Sequence, residues 1–195
     1  MKTPTMVFAA AIAGLFPAMA MAQTAGSEIQ RDVNQQQRIE QGLKSGSLTT
    51  REASKLERGE ARIDRMEANA MKDGNLSPAE KARIQRAQNQ ESRQINRLEN
   101  NAARGNPNSA SSQRMQADVQ RNINQQQRIE QGVQSGQLTN REAGKLERGQ
   151  ARVNRAEARA GADGHVGAGE QRHVQKAENR QSRRIYREKH DAQQR

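Results

Sequence analysis

The sequence predicts an all-α protein, built as two tandem copies of a three-helix module with short Gly-x-[LV] turns and little hydrophobic content. Three observations carry this. No stretch alternates apolar and polar residues with the period of two that a strand needs, whereas apolar residues recur at helical spacing, as in Leu56, Ile63, Met66 and Ala70. The segment Gln30 to Arg65 returns without a gap as Gln120 to Arg155, with about 26 of 36 positions identical. A corner of the form Gly-x-Leu-Thr-x-x-Glu joins a helix-end signal to a helix-start signal, and it recurs within each copy as well as between them.

The first 22 residues read as a secretory leader. Lys2 supplies a positive start, Met6 to Phe16 an apolar stretch, and Ala20-Met21-Ala22 a small-x-small cleavage site before Gln23. The expected location is the periplasm or beyond, with no membrane span after cleavage. With no cysteine, neither a lipid anchor on cysteine nor a disulfide framework is available. Removing the leader also removes Phe8 and Phe16, and Tyr186 remains as the one aromatic residue. Leu, Ile, Val and Phe then make up about 12% of the chain, a range in which charged sequences tend towards disorder. Alanine burial, helix propensity and arginine stems, or a partner, have to supplement so thin a core.

Module one is expected over residues 27–104, with helices at 27–44, 50–71 and 78–103. A polar, turn-rich linker at 105–112 leads to module two over 113–192, with helices at 113–134, 140–160 and 168–190. Apolar stripes run through Ile29, Val33, Gln36, Glu40 and Leu43, and through Ile84, Ala87, Ile95, Leu98 and Ala102. Polar residues interrupt each stripe, so the seams are narrow, as in a coiled coil. Between copies, Val33/Ile123, Leu43/Val133 and Ile63/Val153 stay apolar. Asp32/Asn122, Lys44/Gln134, Glu60/Gln150 and Asp64/Asn154 lose charge and are assigned to the wet face.

The corners have a complete local explanation. Gly46, Gly74, Gly136 and Gly164 suit the left-handed conformation that ends a helix. Thr49, Ser77 and Thr139 can cap the next helix, with Glu52, Glu80 and Glu142 three residues on closing a capping box. Pro78 stands at the first helical position. The fourth corner keeps Glu170 but has Gly167 where the hydroxyl should be, so its helix start is expected to fray.

Two resemblances involve the same residues. Asp73-Gly74-Asn75-Leu76-Ser77-Pro78-Ala79-Glu80 resembles the second half of an EF-hand calcium loop, which makes Asp73, Ser77 and Glu80 the metal candidates. Asn69 and Met71 stand where that loop has its first carboxylates. Leu48-Thr49-Thr50-Arg51-Glu52 and Leu138-Thr139-Asn140-Arg141-Glu142 resemble the LTxxQ motifs of the Spy/CpxP family, with glutamate for the motif's glutamine. That resemblance implies a small helical periplasmic chaperone or stress protein with acidic unfolded clients.

The formal net charge is +11, of which residues 23–104 supply +3 and residues 105–195 supply +7. Lys176, Arg180, Arg183, Arg184 and Arg187 fall on one side of the last helix, a cationic face for an anionic polymer or surface. Aromatic platforms for nucleic-acid bases are missing. No catalytic constellation or cofactor motif is present, so a non-enzymatic protein is expected. His165, His173 and His190 lack the i, i+4 partners of a zinc site. Carboxylates near arginine, as in Glu57/Arg58/Ala61/Arg62, read as helix-surface pairs. A pocket able to shift a carboxyl pKa is not expected from so few apolar side chains, and Tyr186 is expected to pack on a neighbouring helix. The narrow seams leave self-association or docking of one module on the other as expectations.

Overall fold

The computed structural model describes residues 17–191, with side chains from Ala25 onward. The chain is all-helical there: α1 (Pro17–Ser45), α2 (Thr50–Ala70), α3 (Pro78–Glu99), α4 (Ala110–Gln134), α5 (Asn140–Ala160) and α6 (Ala168–Lys189). Residues 1–16 of the expected leader lie outside the described residues, and its cleavage tripeptide falls within the first turns of α1. No helix among the described residues is long and apolar enough to cross a membrane.

The corners form as their chemistry dictates. Gly46 and Gly136 have φ of 76°, and Gly74 and Gly164 have φ of 93°, in the left-handed region that costs a residue with a Cβ about 1 kcal/mol or more. Thr49, Ser77 and Thr139 each cap a helix through a reciprocal box with Glu52, Glu80 and Glu142. At the fourth corner the Gly167 N–H donates to Glu170 at 2.8 Å, half of such a box, and α6 starts at Ala168, the repeat equivalent of Pro78. The third helix ends at Glu99, short of the expected 103. Asn100 donates to the Asn96 carbonyl and Asn101 accepts from the Ala103 N–H, local bonds that compete with another helical turn. At the other end of the linker, Ser109 caps α4, which begins three residues earlier than expected. The linker is packed rather than loose: the Gly105 N–H donates to the Gly46 carbonyl at 2.9 Å.

The two copies share one interior. The most extensive contacts join α2 to α5 and α1 to α4, so each copy packs more against the other than against itself. Both pairs run antiparallel. Gly26 of α1 lies against Val133 near the end of α4, and Gly161 after α5 lies against Thr50 at the start of α2. The repeat equivalents Asp64 and Asn154 meet, with the Asn154 amide donating to Asp64 at 2.9 Å, which places them on a pseudo-two-fold axis. Helices α1, α2, α4 and α5 form the centre; α3 lies on α1 and α2, and α6 on α4 and α5.

Apolar side chains gather at the two ends of this bundle. One cluster joins Leu43, Leu48 and Leu56 to Met115, Val119 and Ile123; its symmetry mate joins Ile129, Val133, Leu138 and Leu146 to Ala25, Ile29 and Met71. Of the apolar residues before the helix starts, Leu48, Leu138 and Val166 are buried in these clusters and Leu76 in a smaller one with Ala70 and Ile84, which holds each corner to the core. Gly42 and Gly132 make room for Leu48 and Leu138. A Cβ on Gly42 would lie 2.5 Å from Leu48 Cδ1 and 2.6 Å from Leu48 Cγ.

Helix propensity alone would have Gly42→Ala stabilise α1 by about 1 kcal/mol. The clash with a fully buried leucine reverses the sign. The expected outcome is net destabilisation of about 1–3 kcal/mol, seen as a Tm lower by ~3–10 °C in a circular dichroism melt.

Candidate functional site

The residues assigned to the basic face are brought together. Arg180, Arg183, Arg184 and Arg187 of α6 line a groove of about 350 Å³ against α5, which adds Arg152. Lys176 lies next to it, lining an adjoining hollow with Arg180 and Arg183. Gly149 and Ala177 form part of the groove wall, and Val153 and Gln181 complete it. The five arginines make no ion pair among the described residues. Arg152 was missed at the sequence level because it lies on a different helix, and which face of α5 meets α6 is set by packing.

The first copy shows what the second has changed. There Glu91 occupies the place of Gln181, and Gln90 and Gln94 occupy the places of Arg180 and Arg184. The Glu91 carboxylate is buried close to Arg62. The second copy has thus replaced a carboxylate with an amide and two amides with guanidiniums at one groove. Gln181 turns its amide inward to the Leu146 carbonyl, at 2.9 Å. No anionic group is left in the lining.

Tyr186 does not pack on a neighbouring helix as expected. It is 58% exposed and stacks on His190 one turn on, with ring centroids 4.2 Å apart. His165 and His173 are exposed as well.

The calcium-like loop spends its donors internally. Asp73 Oδ1 accepts from the Asn75 N–H at 2.9 Å, and the Ser77 hydroxyl donates to Glu80 Oε2 at 2.6 Å. The Asp73 and Gly74 carbonyls accept from Arg141 and Asn140 of α5. Asp73, Ser77 and Glu80 therefore build a corner docked on the other copy. The corners that resemble LTxxQ motifs are occupied by the same capping bonds.

The largest departure from expectation lies between the two apolar clusters. The positions assigned to a wet face are interior: Asp32, Asn122, Glu60, Gln150, Asp64 and Asn154 are all buried, and of the charge-losing positions only Lys44/Gln134 is exposed. The surface pairing assigned to Glu57 also fails, because Glu57 is buried and accepts from Gln36 at 2.9 Å. Antiparallel packing of four central helices turns the polar side of each apolar stripe inward at mid-length. The result is an acidic waist of Asp32 on α1, Glu57, Glu60, Asp64 and Glu67 on α2, and Glu147 and Glu157 on α5. Glu91, Asp118 and Glu178 flank it. Of these, Glu178 alone makes an ion pair among the described residues, with Arg121 at 3.2 Å.

A thin core does perturb carboxyl groups here. Burial pushes Glu57, Glu91 and Asp118 up to about 7, and Glu147 and Glu178 up to about 8. Burial, reinforced by the neighbouring acids, raises Glu60, Asp64, Glu67 and Glu157 well above the usual range. Glu57 lies near Glu157 across the copies, and its charge is among the causes, after burial, that raise Glu157.

A carboxyl group whose pKa is higher in the fold than in the unfolded chain keeps its proton longer when folded. That linkage favours the fold fully below about pH 4 and is lost as pH rises towards the folded values near 7 and 8. In chelator-treated protein, Tm is expected to fall between pH 5 and pH 8 by about 3 °C per pH unit for each titrating group. Melts across that range check it, and a Tm that rises or stays flat would contradict the burial of these groups.

No family model matches the chain, and neither a curated protein nor a solved structure matches it.

Proposed function

We propose that the chain is an exported, non-enzymatic protein that binds phosphate-bearing polymers through the arginine groove between α5 and α6. One observation carries this reading: five arginines from two helices converge on a groove whose one acidic position in the other copy, Glu91, is here the neutral Gln181. Guanidinium groups present rigid forks of donors that match phosphate oxygens in pairs, and they keep their charge at any physiological pH. Arginines held side by side without carboxylates repel one another, and an incoming polyanion relieves that repulsion. The groove is open along α6 towards Lys176, which suits a linear polymer better than a single compact anion. Leader-like residues 1–22 support export, and the lack of aromatic platforms favours a polymer recognised by charge over one read by its bases.

The test uses labelled long-chain polyphosphate in fluorescence anisotropy. Replacing Arg180, Arg183, Arg184 and Arg187 with glutamine is expected to weaken binding at least tenfold and to flatten its dependence on salt. A control of equal charge, Arg83→Gln with Arg86→Gln, Arg93→Gln and Arg97→Gln on α3 of the first copy, should weaken binding by less than about threefold, since loss of charge at an exposed, unengaged site has a small effect. Equal losses in both variants, or no loss in the first, would overturn the assignment.

A further inference from the structure

The acidic waist is asymmetric in a way that points to a ligand. Its second-copy members Asn122, Gln150 and Asn154 are amides linked in a chain of hydrogen bonds that leaves, of the three, the Gln150 Oε1 alone without a partner. Asn122 donates to Asn154, Gln150 donates to Asn122, and Asn154 donates to Asp64. The equivalent first-copy residues, Asp32, Glu60 and Asp64, are carboxylates with no donors to exchange.

Asp32, Asp64 and Glu67, all fully buried, each bring a carboxylate oxygen to within 4.8 Å of the others'. Every one of the three has an oxygen without a hydrogen-bond donor: Asp32 Oδ2, Asp64 Oδ1 and Glu67 Oε2. Glu60, one turn before Asp64 on the same side of α2, is 0% exposed, and neither of its oxygens has a partner. The remaining oxygens are held in place by amides. Gln88 of α3 donates to Asp32 Oδ1 at 2.8 Å and to Glu67 Oε1 at 3.3 Å, while its own Oε1 has no partner. Amides fix one oxygen each of Asp32, Asp64 and Glu67, and each of the three keeps a second oxygen free of donors, as ligands supported by a surrounding shell do.

We propose that Asp32, Asp64 and Glu67, with Glu60 beside them, form a buried site for a hard multivalent cation of the calcium or trivalent lanthanide kind. The donor set is entirely oxygen, without thiolate or imidazole, which excludes the softer transition metals. Carboxylates in this number offer the irregular, oxygen-rich coordination that calcium and lanthanide ions accept. Magnesium requires a near-ideal octahedron and keeps its waters. The cation would bind between α1 and α2 of the first copy, with α3 as the outer wall and α5 across the axis. This is a different site from the arginine groove and does not depend on it.

The experiment follows Tm of the full chain at pH 7.5 after chelator treatment, titrated with calcium chloride and with lanthanum chloride. Saturating cation is expected to raise Tm by about 5–10 °C, with lanthanum effective at the lower concentration. The variant Asp32→Asn/Glu60→Gln/Asp64→Asn carries the side chains the second copy already buries at these positions, and it should melt cooperatively with the cation shift gone. Asp73→Asn/Glu80→Gln, which alters the corner instead, should keep the shift. Calorimetry of the unaltered chain with lanthanum gives a second reading that needs no variant, with one tight site per chain expected. Absence of a tight site, or a shift that survives in the triple variant, would overturn the proposal.

Discussion

Negative charge confined between two helix pairs is the constraint on which the rest of this fold depends. A carboxylate removed from water without a cation costs several kcal/mol, and the waist gathers many within a few helical turns of one another. Those groups hold protons or meet a positive ion. The arginines do little to neutralise them: Arg121 pairs with Glu178 and Arg62 lies near Glu91 at the flanks, and most of the others lie on the outside of the bundle, where their charge is solvated and available to a partner. The molecule thus separates its charges radially, acidic within and basic without, and the excess of +11 understates how cationic its surface is.

The apolar clusters acquire a different meaning in this light. Neither is large, and each draws on both copies, closing one end of the bundle like a lid. Between them the interior is polar, and water is kept out by the ends and by the amide-rich surroundings of the acids. Gln35, Gln88 and Gln125 all span from one helix to the backbone or side chains of another. A chain with so few large apolar residues can hold such an interior because amides and acids, which in other proteins lie outside, here take up interior volume.

Much of this was legible in the sequence and some of it was not. The corners could be read because a capping box and a left-handed glycine are local: Gly46, Thr49 and Glu52 determine one another across a few residues. The clustering of Arg180, Arg183, Arg184 and Arg187 was legible for the same reason, being a matter of helical spacing alone. Asp32, Glu60 and Asp64 were misplaced because an acid-to-amide difference between copies has the appearance of surface drift. It is equally the mark of a buried polar position that has changed its means of neutralisation, and only the packing of α2 on α5 separates the two. Arg152 and the exposed ring of Tyr186 depended likewise on which helix lies beside α6.

The meeting of Asp64 with Asn154 has a consequence for how such a molecule can vary. Two identical chains related by a true rotation would place the same residue twice at the point where the rotation axis passes, so that an acid there must always face an acid. Covalent tandem arrangement lifts that restriction. Each partner at the centre can then mutate independently, and a lone acid opposite an amide becomes reachable, a pairing no symmetric assembly of single copies could ever sample.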